Sequence, residues 1–276
     1  MNLILDSFWR AAAYCMHPRV IILSLLPLIL MVGVIGGLGY FYWEPALDQV
    51  RAVLESSALL NNAWAWLERA GMGQLKSVLA PMVVIAVVTP VIVMGSLLVV
   101  GLLMTPAIVD LVAKRRFEGL ERKQGASFWG SLGWSLGSTA MALVALVVSV
   151  PLWLVPPLVL VLPPLIWGWL TYRVMVFDAL AEHASREERQ TLILRHRIAL
   201  VGMGMLVGYL SAAPSLIWSI GVMTIVMAPI LVPISIWVYT LIFAFSSLWF
   251  AHYCLAALQD LRRERVAVQL VAEPNL

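Results

Sequence analysis

Charged residues divide this chain into long apolar runs separated by short charged segments. Residues 77–109 contain no charged side chain, and Lys76 and Asp110 border the run. A hydrocarbon core about 30 Å thick needs only about 20 helical residues to be crossed. Residues 18–43 form a second, mostly apolar run. The pattern therefore predicts two long transmembrane helices, over residues 18–43 and 77–109.

Two further apolar blocks are too long for a single crossing. Residues 128–172 and 198–259 contain no Asp, Glu, Lys or Arg. Because a helix rises about 1.5 Å per residue, each block must turn back. Several prolines interrupt the two blocks, among them Pro151, Pro156 and Pro214. We predict two proline-broken helical hairpins, each crossing the membrane or penetrating only part of it.

The remaining segments are charged or amphipathic. The Ser185-Arg-Glu-Glu188 sequence matches a capping box and predicts the start of a cytoplasmic helix. The whole pattern predicts one all-α membrane domain over residues 1–260. Its other parts are an interfacial helix (1–17), an extracytoplasmic amphipathic segment (44–76), a basic cytoplasmic helix (110–127), a cytoplasmic helix (173–197) and a cytoplasmic tail (261–276).

The distribution of positive charge predicts the orientation. Of the 18 Lys and Arg residues, only Arg51, Arg69 and Lys76 lie in the 44–76 segment. Because Lys and Arg concentrate in cytoplasmic loops, this segment is expected on the opposite face of the membrane. Both termini are then expected to be cytoplasmic.

The overall composition supports a membrane protein. The chain is 62% hydrophobic and 12% charged, whereas soluble domains carry about 25% charged residues. The isoelectric point near 9.0 does not indicate nucleic-acid binding, because the basic residues lie at the predicted membrane boundaries. Membrane lipid is the expected surrounding partner. Cys15 and Cys254 are predicted to be reduced thiols without a disulfide or metal partner.

No pattern of residues predicts an enzyme. Gly133-Trp-Ser-Leu-Gly137 matches G-x-S-x-G, but that motif requires a strand-to-helix turn, and here it begins an apolar helix. The four histidines show no ligand spacing, so neither a catalytic residue, a metal site nor a cofactor is predicted. Pairs of glycines four residues apart predict close helix packing and favour self-association into a homo-oligomer. These pairs are Gly33/Gly37, Gly133/Gly137 and Gly204/Gly208.

Arg19 is the best candidate for binding an anion. It follows Pro18, which suits the first position of a helix. Free N–H groups, the positive end of the helix dipole and a guanidinium would together attract an anion, with Arg10 nearby. The alternative is that Arg10, His17 and Arg19 only anchor the helix at the membrane surface.

Four residues are candidates for a structural or gating role. Pro27 and Pro106 interrupt the two predicted long helices. Asp178 follows an aromatic segment near a membrane boundary, and Arg173 could pair with it. Such a pair would hold the first hairpin to the cytoplasmic helix, or it would meet a ligand.

Three sequence features resemble the CysZ sulfate permease family, which shares a domain with the etoposide-induced membrane protein of eukaryotes. They are the paired prolines Pro18 and Pro27, the Thr105-Pro106 step that precedes the basic segment, and the aromatic stretch from Tyr172 to Asp178. The resemblance implies an inner-membrane, oligomeric protein with two long spanning helices, two partly penetrating hairpins and a role in sulfate uptake.

The chain departs from that family at one position. In CysZ proteins a Gly-x-Arg-Arg run follows the first proline and is associated with sulfate binding. Aligned on Pro18 and Pro27, this chain has Ile21 and Ile22 in place of both arginines. Our leading hypothesis is a permease or channel for sulfate or another small anion. The alternative is a membrane scaffold or assembly factor that acts through protein or lipid partners without transporting a solute.

Overall fold

The computed structural model describes residues 2–56, 75–123, 125, 128–214 and 223–272, and the regular elements within them are helical. Eight α-helices are numbered here in chain order. They are α1 (Asn2–Cys15), α2 (Pro18–Ser56), α3 (Leu75–Arg116), α4 (Phe128–Ser149), α5 (Pro156–Ala181), α6 (Arg186–Arg195), α7 (Arg197–Ala212) and α8 (Met223–Ala272). The predicted all-α fold is thus confirmed.

Within the described part of the chain, five helical segments are each long and apolar enough to cross a membrane. They are Pro18–Val53, Pro81–Arg116, Trp129–Leu154, Pro156–Ala181 and Ile230–Gln269. The prediction of a multi-pass membrane protein is therefore confirmed. The depth that the hairpins reach stays a prediction, because length and composition alone define these spans.

The first long helix extends beyond its predicted end at residue 43. α2 continues to Ser56 and passes through both Pro27 and Pro45. In the added turns, Asp48 and Arg51 form an ion pair at 3.4 Å, one helical turn apart. The amphipathic segment predicted over 44–76 therefore begins as part of α2, and its residues 57–74 lie outside the described part of the chain.

The first hairpin turns where its prolines predict. A short 3₁₀ helix over Val150–Leu154 contains Pro151, and α5 then begins with two prolines at Pro156. α5 does not end at residue 172. It continues to Ala181 and so carries Arg173 and Asp178 within a candidate membrane span. The helix can continue because neither Arg173 nor Asp178 is a helix-breaking residue. The return of charged residues at position 173 indicates a more polar environment but does not end the helix. The apex of the second hairpin, residues 215–222, lies outside the described residues.

The predicted capping box is confirmed at the start of α6. The hydroxyl of Ser185 accepts a hydrogen bond from the Glu188 N–H at 3.2 Å, and the Glu188 carboxylate accepts one from the Ser185 N–H at 2.9 Å. α6 and α7 then meet at an angle of 79°. α6 lies outside the five candidate spans.

Glycines allow α5 and α7 to pack backbone against backbone. A Cβ atom on Gly204 would lie 2.5 Å from the carbonyl oxygen of Gly168, and one on Gly208 would clash with that of Pro164. The predicted packing role of Gly204 and Gly208 is confirmed. Around Gly33, Gly37, Gly133 and Gly137, by contrast, no described atom beyond the chain neighbours and the local helix backbone lies within 4 Å of the place that a Cβ atom would occupy.

The described helices divide into two compact units. The first comprises residues 1–24 and 102–276, and the second comprises residues 25–101. The core of the first unit lies along α8, where Leu248, Phe250, Leu255 and Leu258 are completely buried. α1 packs onto α8: the indole Nε1 of Trp249 donates to the Ile4 carbonyl at 3.2 Å. In the second unit most side chains are apolar and exposed, as expected for surfaces that face lipid.

Candidate anion site

The turn between α1 and α2 places Pro18 and Arg19 at the start of a long helix. The His17 N–H donates to the Tyr14 carbonyl at 2.9 Å and closes this turn. α2 begins at Pro18, as predicted. Proline has no N–H to leave unpaired at the first helical position, so this start is stable.

His17 already satisfies the first N–H groups of α2. Its Nδ1 atom accepts a hydrogen bond from the Arg19 N–H at 3.2 Å. Its carbonyl accepts from the N–H groups of Val20 at 2.9 Å and Ile21 at 3.1 Å. The prediction of free N–H groups here was therefore wrong, and the guanidinium of Arg19 is the group left to bind an anion.

The two arginines of the predicted site differ in their surroundings. The Nε of Arg10 lies 2.9 Å from both carboxylate oxygens of Asp6. Asp6 also accepts a hydrogen bond from Arg116 at 3.0 Å, which links α1 to the end of α3. Hydrogen bonds from Arg10 and Arg116 lower the pKa of Asp6. Arg19 is exposed and makes no ion pair with the described residues. Its guanidinium is therefore more available than that of Arg10 to donate hydrogen bonds to an anion.

The residues that follow Arg19 and Val20 on α2, Ile21 and Ile22, carry no polar side chain. Ile21 is 37% exposed and Ile22 is 62% exposed. Both side chains therefore lie at the surface of α2 next to Arg19 and offer no hydrogen-bond donor. Arg19 supplies the positive charge at this end of the helix.

The gating candidates occupy different environments. Pro27 is buried within α2 and Pro106 is exposed within α3, and both helices continue through them. Among the described residues, Arg173 and Asp178 do not form an ion pair, so the predicted pairing is not found. Arg173 instead lies over two tryptophan rings, with its Cζ atom 4.3 Å from the centre of the Trp134 ring and 5.1 Å from that of Trp169.

Arg173 belongs to a larger group that sequence reasoning missed. Trp134 stacks on Phe177 with ring centres 5.4 Å apart and an angle of 18° between the planes. The Arg189 guanidinium lies 4.2 Å from the centre of the Phe177 ring. We call Trp134, Trp169, Arg173, Phe177 and Arg189 the arginine–aromatic cluster. It joins α4, α5 and α6.

Part of this cluster had a signal in the sequence. Trp169, Arg173 and Phe177 recur every four residues, so they share one face of α5. Trp134 and Arg189 come from other helices, and no local pattern assigns them to that face. Trp134 is held there by a hydrogen bond from its Nε1 to the Arg173 carbonyl at 3.2 Å.

A buried carboxylate fastens the helix ends next to this cluster. Glu188 is 1% exposed and accepts hydrogen bonds from Lys123 at 3.0 Å and from Arg262 at 3.0 and 3.1 Å. Burial alone would raise the pKa of Glu188, but hydrogen bonds from Arg262, the Ser185 N–H and Lys123 lower it to about 2. Glu188 therefore stays ionised and holds both cations in place.

A nearby pocket contains cations that are already paired. It has a volume of about 360 Å³, and its lining includes Lys114, Arg122 and the buried His183. Lys114 and Arg122 both contact the Asp110 carboxylate at 2.6 Å. Because Asp110 lies between these two cations, the pocket has less free positive charge than its lining suggests.

The fold and these boundary charges define a multi-pass, all-α membrane protein with its ion pairs gathered near the helix ends. The family model described as sulfate transporter CysZ/etoposide-induced protein 2.4 matches residues 7–220. The match covers most of the chain, which therefore belongs to this family. No curated protein and no solved structure matches the chain.

Proposed function

We propose that this protein is a permease for a small anion in the bacterial inner membrane and that Arg19 binds the anion at the start of α2. The observation that carries the proposal is the family match over residues 7–220. The transporter family accounts for the apolar helices without requiring a catalytic group. Sulfate is the first anion to test, and homo-oligomerisation is part of the proposal.

The side-chain contacts around Arg19 support its role. Asp6 neutralises Arg10, whereas Arg19 has no carboxylate partner among the described residues. An exposed guanidinium can bind an oxyanion through two parallel N–H donors. The arginine pair of the family is absent, so one guanidinium replaces two. We therefore expect this site to bind a dianion more weakly than a site with two additional arginines would.

Uptake of radiolabelled sulfate by purified protein in liposomes tests the proposal. We expect uptake above that of empty liposomes and a loss of about tenfold or more in Arg19→Ala, since hydrogen bonds to charged groups contribute about 1.5–3 kcal/mol. The matched control is Arg265→Ala, because Arg265 is also an exposed arginine on a long helix. Phosphate, nitrate and chloride are tested in parallel.

Flux no higher than in empty liposomes for every anion would exclude the permease. The scaffold hypothesis would then gain support from a stable co-purifying protein that is lost when Lys114, Arg115 and Arg116 are neutralised. Isolation as a clean homo-oligomer with anion flux would contradict the scaffold.

A further inference from the structure

The structure points to a second anion-binding site: we propose that Arg173 and Arg189 of the arginine–aromatic cluster each hold an oxyanion group, a sulfate or a phosphate. This inference rests on the proposed function, because it adds a place on the cytoplasmic side where a transported anion is held. It assigns a ligand to two cations whose charge the described part of the protein leaves unbalanced.

The first argument is the absence of a counter-charge. The other half-buried Lys and Arg side chains among the described residues have a carboxylate partner within 4.0 Å: Arg116 pairs with Asp6 and Arg262 with Glu188. Among the described residues, neither Arg173 nor Arg189 has such a partner, although both are only partly exposed.

The second argument is that each arginine keeps a buried donor. The Nε of Arg173 and the Nη1 of Arg189 are buried without a hydrogen-bond partner among the described residues. Buried donors in folded proteins are nearly always paired. A buried donor that finds no acceptor has lost its hydration without compensation, so the described residues do not satisfy the hydrogen-bonding capacity of either guanidinium.

The third argument is the orientation that the aromatic rings impose. A guanidinium that lies over a ring uses its flat face for the cation–π contact. Its N–H bonds lie in the plane of the group and remain available at the edge. The contacts with Trp134 and Phe177 therefore help to hold the two guanidinium groups in place. The N–H groups that are not buried can donate to an oxyanion.

The fourth argument is the location of Arg173. It lies within the candidate span Pro156–Ala181, eight residues before the end of α5, which is about 12 Å along a helix. Ionisable residues inside spans are costly and commonly mark ion pathways. Arg189 lies on α6, which does not qualify as a span by itself but forms with α7 a bent pair that passes the same test.

The electrostatics of Arg189 agree with this arrangement. Burial and the neighbouring Arg186 lower the pKa of Arg189. A carboxylate next to an arginine has the opposite effect and raises the arginine pKa, as Asp6 does for Arg10. An oxyanion bound at the edge of Arg189 would supply the missing negative charge.

The oxyanion could be a free ion or the phosphate of a lipid headgroup, and the experiment separates the two sources. Purified protein in a neutral detergent is titrated with radiolabelled sulfate and phosphate at constant ionic strength. In a second arm, binding of phosphatidylglycerol is measured by native mass spectrometry. The variants are Arg173→Gln and Arg189→Gln, with Arg265→Gln as the matched control for an exposed arginine.

We expect each glutamine variant to lose the oxyanion held at the replaced arginine, so that binding at saturation falls by one oxyanion per chain, with Arg265→Gln unchanged. A loss in the first arm assigns the site to a free anion, and a loss in the second assigns it to lipid phosphate. Both results support the site. If Arg173→Gln does not yield monodisperse protein, Arg189→Gln decides.

Wild-type binding in both arms for well-folded glutamine variants, with the same number of oxyanions per chain, would overturn the inference, as would absence of binding by the wild type. Uptake in liposomes keeps this result separate from the proposed function. Arginine-dependent binding without any uptake would leave the site standing and remove the permease. Normal uptake and normal binding in both variants would exclude the second site and leave the proposed permease function in place.

Discussion

Replacing Glu188 with glutamine tests whether one buried carboxylate holds four parts of the chain together. Its oxygens accept hydrogen bonds from Lys123 after α3, from the Ser185 N–H at the start of α6 and from Arg262 on α8. Arg262 also donates to the carbonyl of His183, which follows α5, at 2.6 Å. Glutamine retains the shape of the side chain but removes the charge that both cations require.

The pKa of Glu188 gives the expected size of the effect. Glu188 is 1% exposed, and its pKa falls from 4.5 to about 2. Because one pKa unit corresponds to 1.36 kcal/mol, the ionised form stabilises the fold by about 3 kcal/mol. Breaking a buried ion pair costs about 3–5 kcal/mol in other proteins. The two figures agree, so a loss of about 3 kcal/mol is expected.

Thermal unfolding in detergent measures this loss. A change of 1 kcal/mol shifts the Tm by about 2–4 °C in proteins of 150–250 residues, so Glu188→Gln should lower the Tm by about 6–12 °C. The matched control is Glu187→Gln, because Glu187 is the exposed neighbour on the same helix. Its effect should stay within about 0.5 kcal/mol. Equal Tm values for the two variants would refute the reasoning.

The same carboxylate predicts a dependence of stability on pH. The pKa of Glu188 is lower in the folded protein than in the unfolded chain, so the unfolded chain binds more protons between about pH 4.5 and pH 2. The contribution of Glu188 is complete above that range and is lost as the pH falls towards about 2. Denaturant unfolding at several pH values should show that the free energies of unfolding of the wild type and Glu188→Gln converge as the pH falls. Parallel curves would contradict this.

Further predictions concern helix packing and thiol reactivity. Gly204→Ala should destabilise the protein by about 1–3 kcal/mol, because its Cβ would lie 2.5 Å from the Gly168 carbonyl oxygen. Gly202→Ala is the control: no described atom lies within 4 Å of the added Cβ, and thermal unfolding should show a gain of about 0.5–1 kcal/mol. Burial raises the pKa of Cys15 to about 11, so maleimide labelling at neutral pH should be on the order of 100-fold slower than for a free thiol and should accelerate with pH. Cys254, which is 3% exposed, should stay unlabelled without denaturant; rapid labelling of either thiol at pH 7 would contradict the described burial.

Helix starts were the features that local sequence predicted best. Pro18 begins α2 and Ser185 caps α6, as expected from the chemistry of those residues alone. Helix ends were predicted less well. α2 and α5 both continue past the positions at which charge returns to the sequence. Charge indicates where the surroundings become polar, but it does not by itself terminate a helix.

For the candidate sites, the sequence also did not predict which side chains contact one another. Sequence reasoning placed Arg10 and Arg19 together, but the contacts of Asp6 separate a paired arginine from an unpaired one. It also proposed Arg173 for its proximity to Asp178, whereas the fold directs Arg173 towards Trp134 and Trp169. Side chains that are close in the sequence need not meet, because helix rotation and packing decide which faces come together.

The sequence by itself determined that this is an all-α, multi-pass membrane protein, because a charge-poor chain can satisfy its backbone in lipid only through helices or closed barrels. It also determined its family, since the family model matches residues 7–220. Only the tertiary structure decided which cations have a carboxylate partner among the described residues and which have none. Lys123 and Arg262 meet Glu188 from distant segments, while Arg173 and Arg189 meet aromatic rings instead. These contacts join helices far apart in the chain, and no local periodicity encodes them.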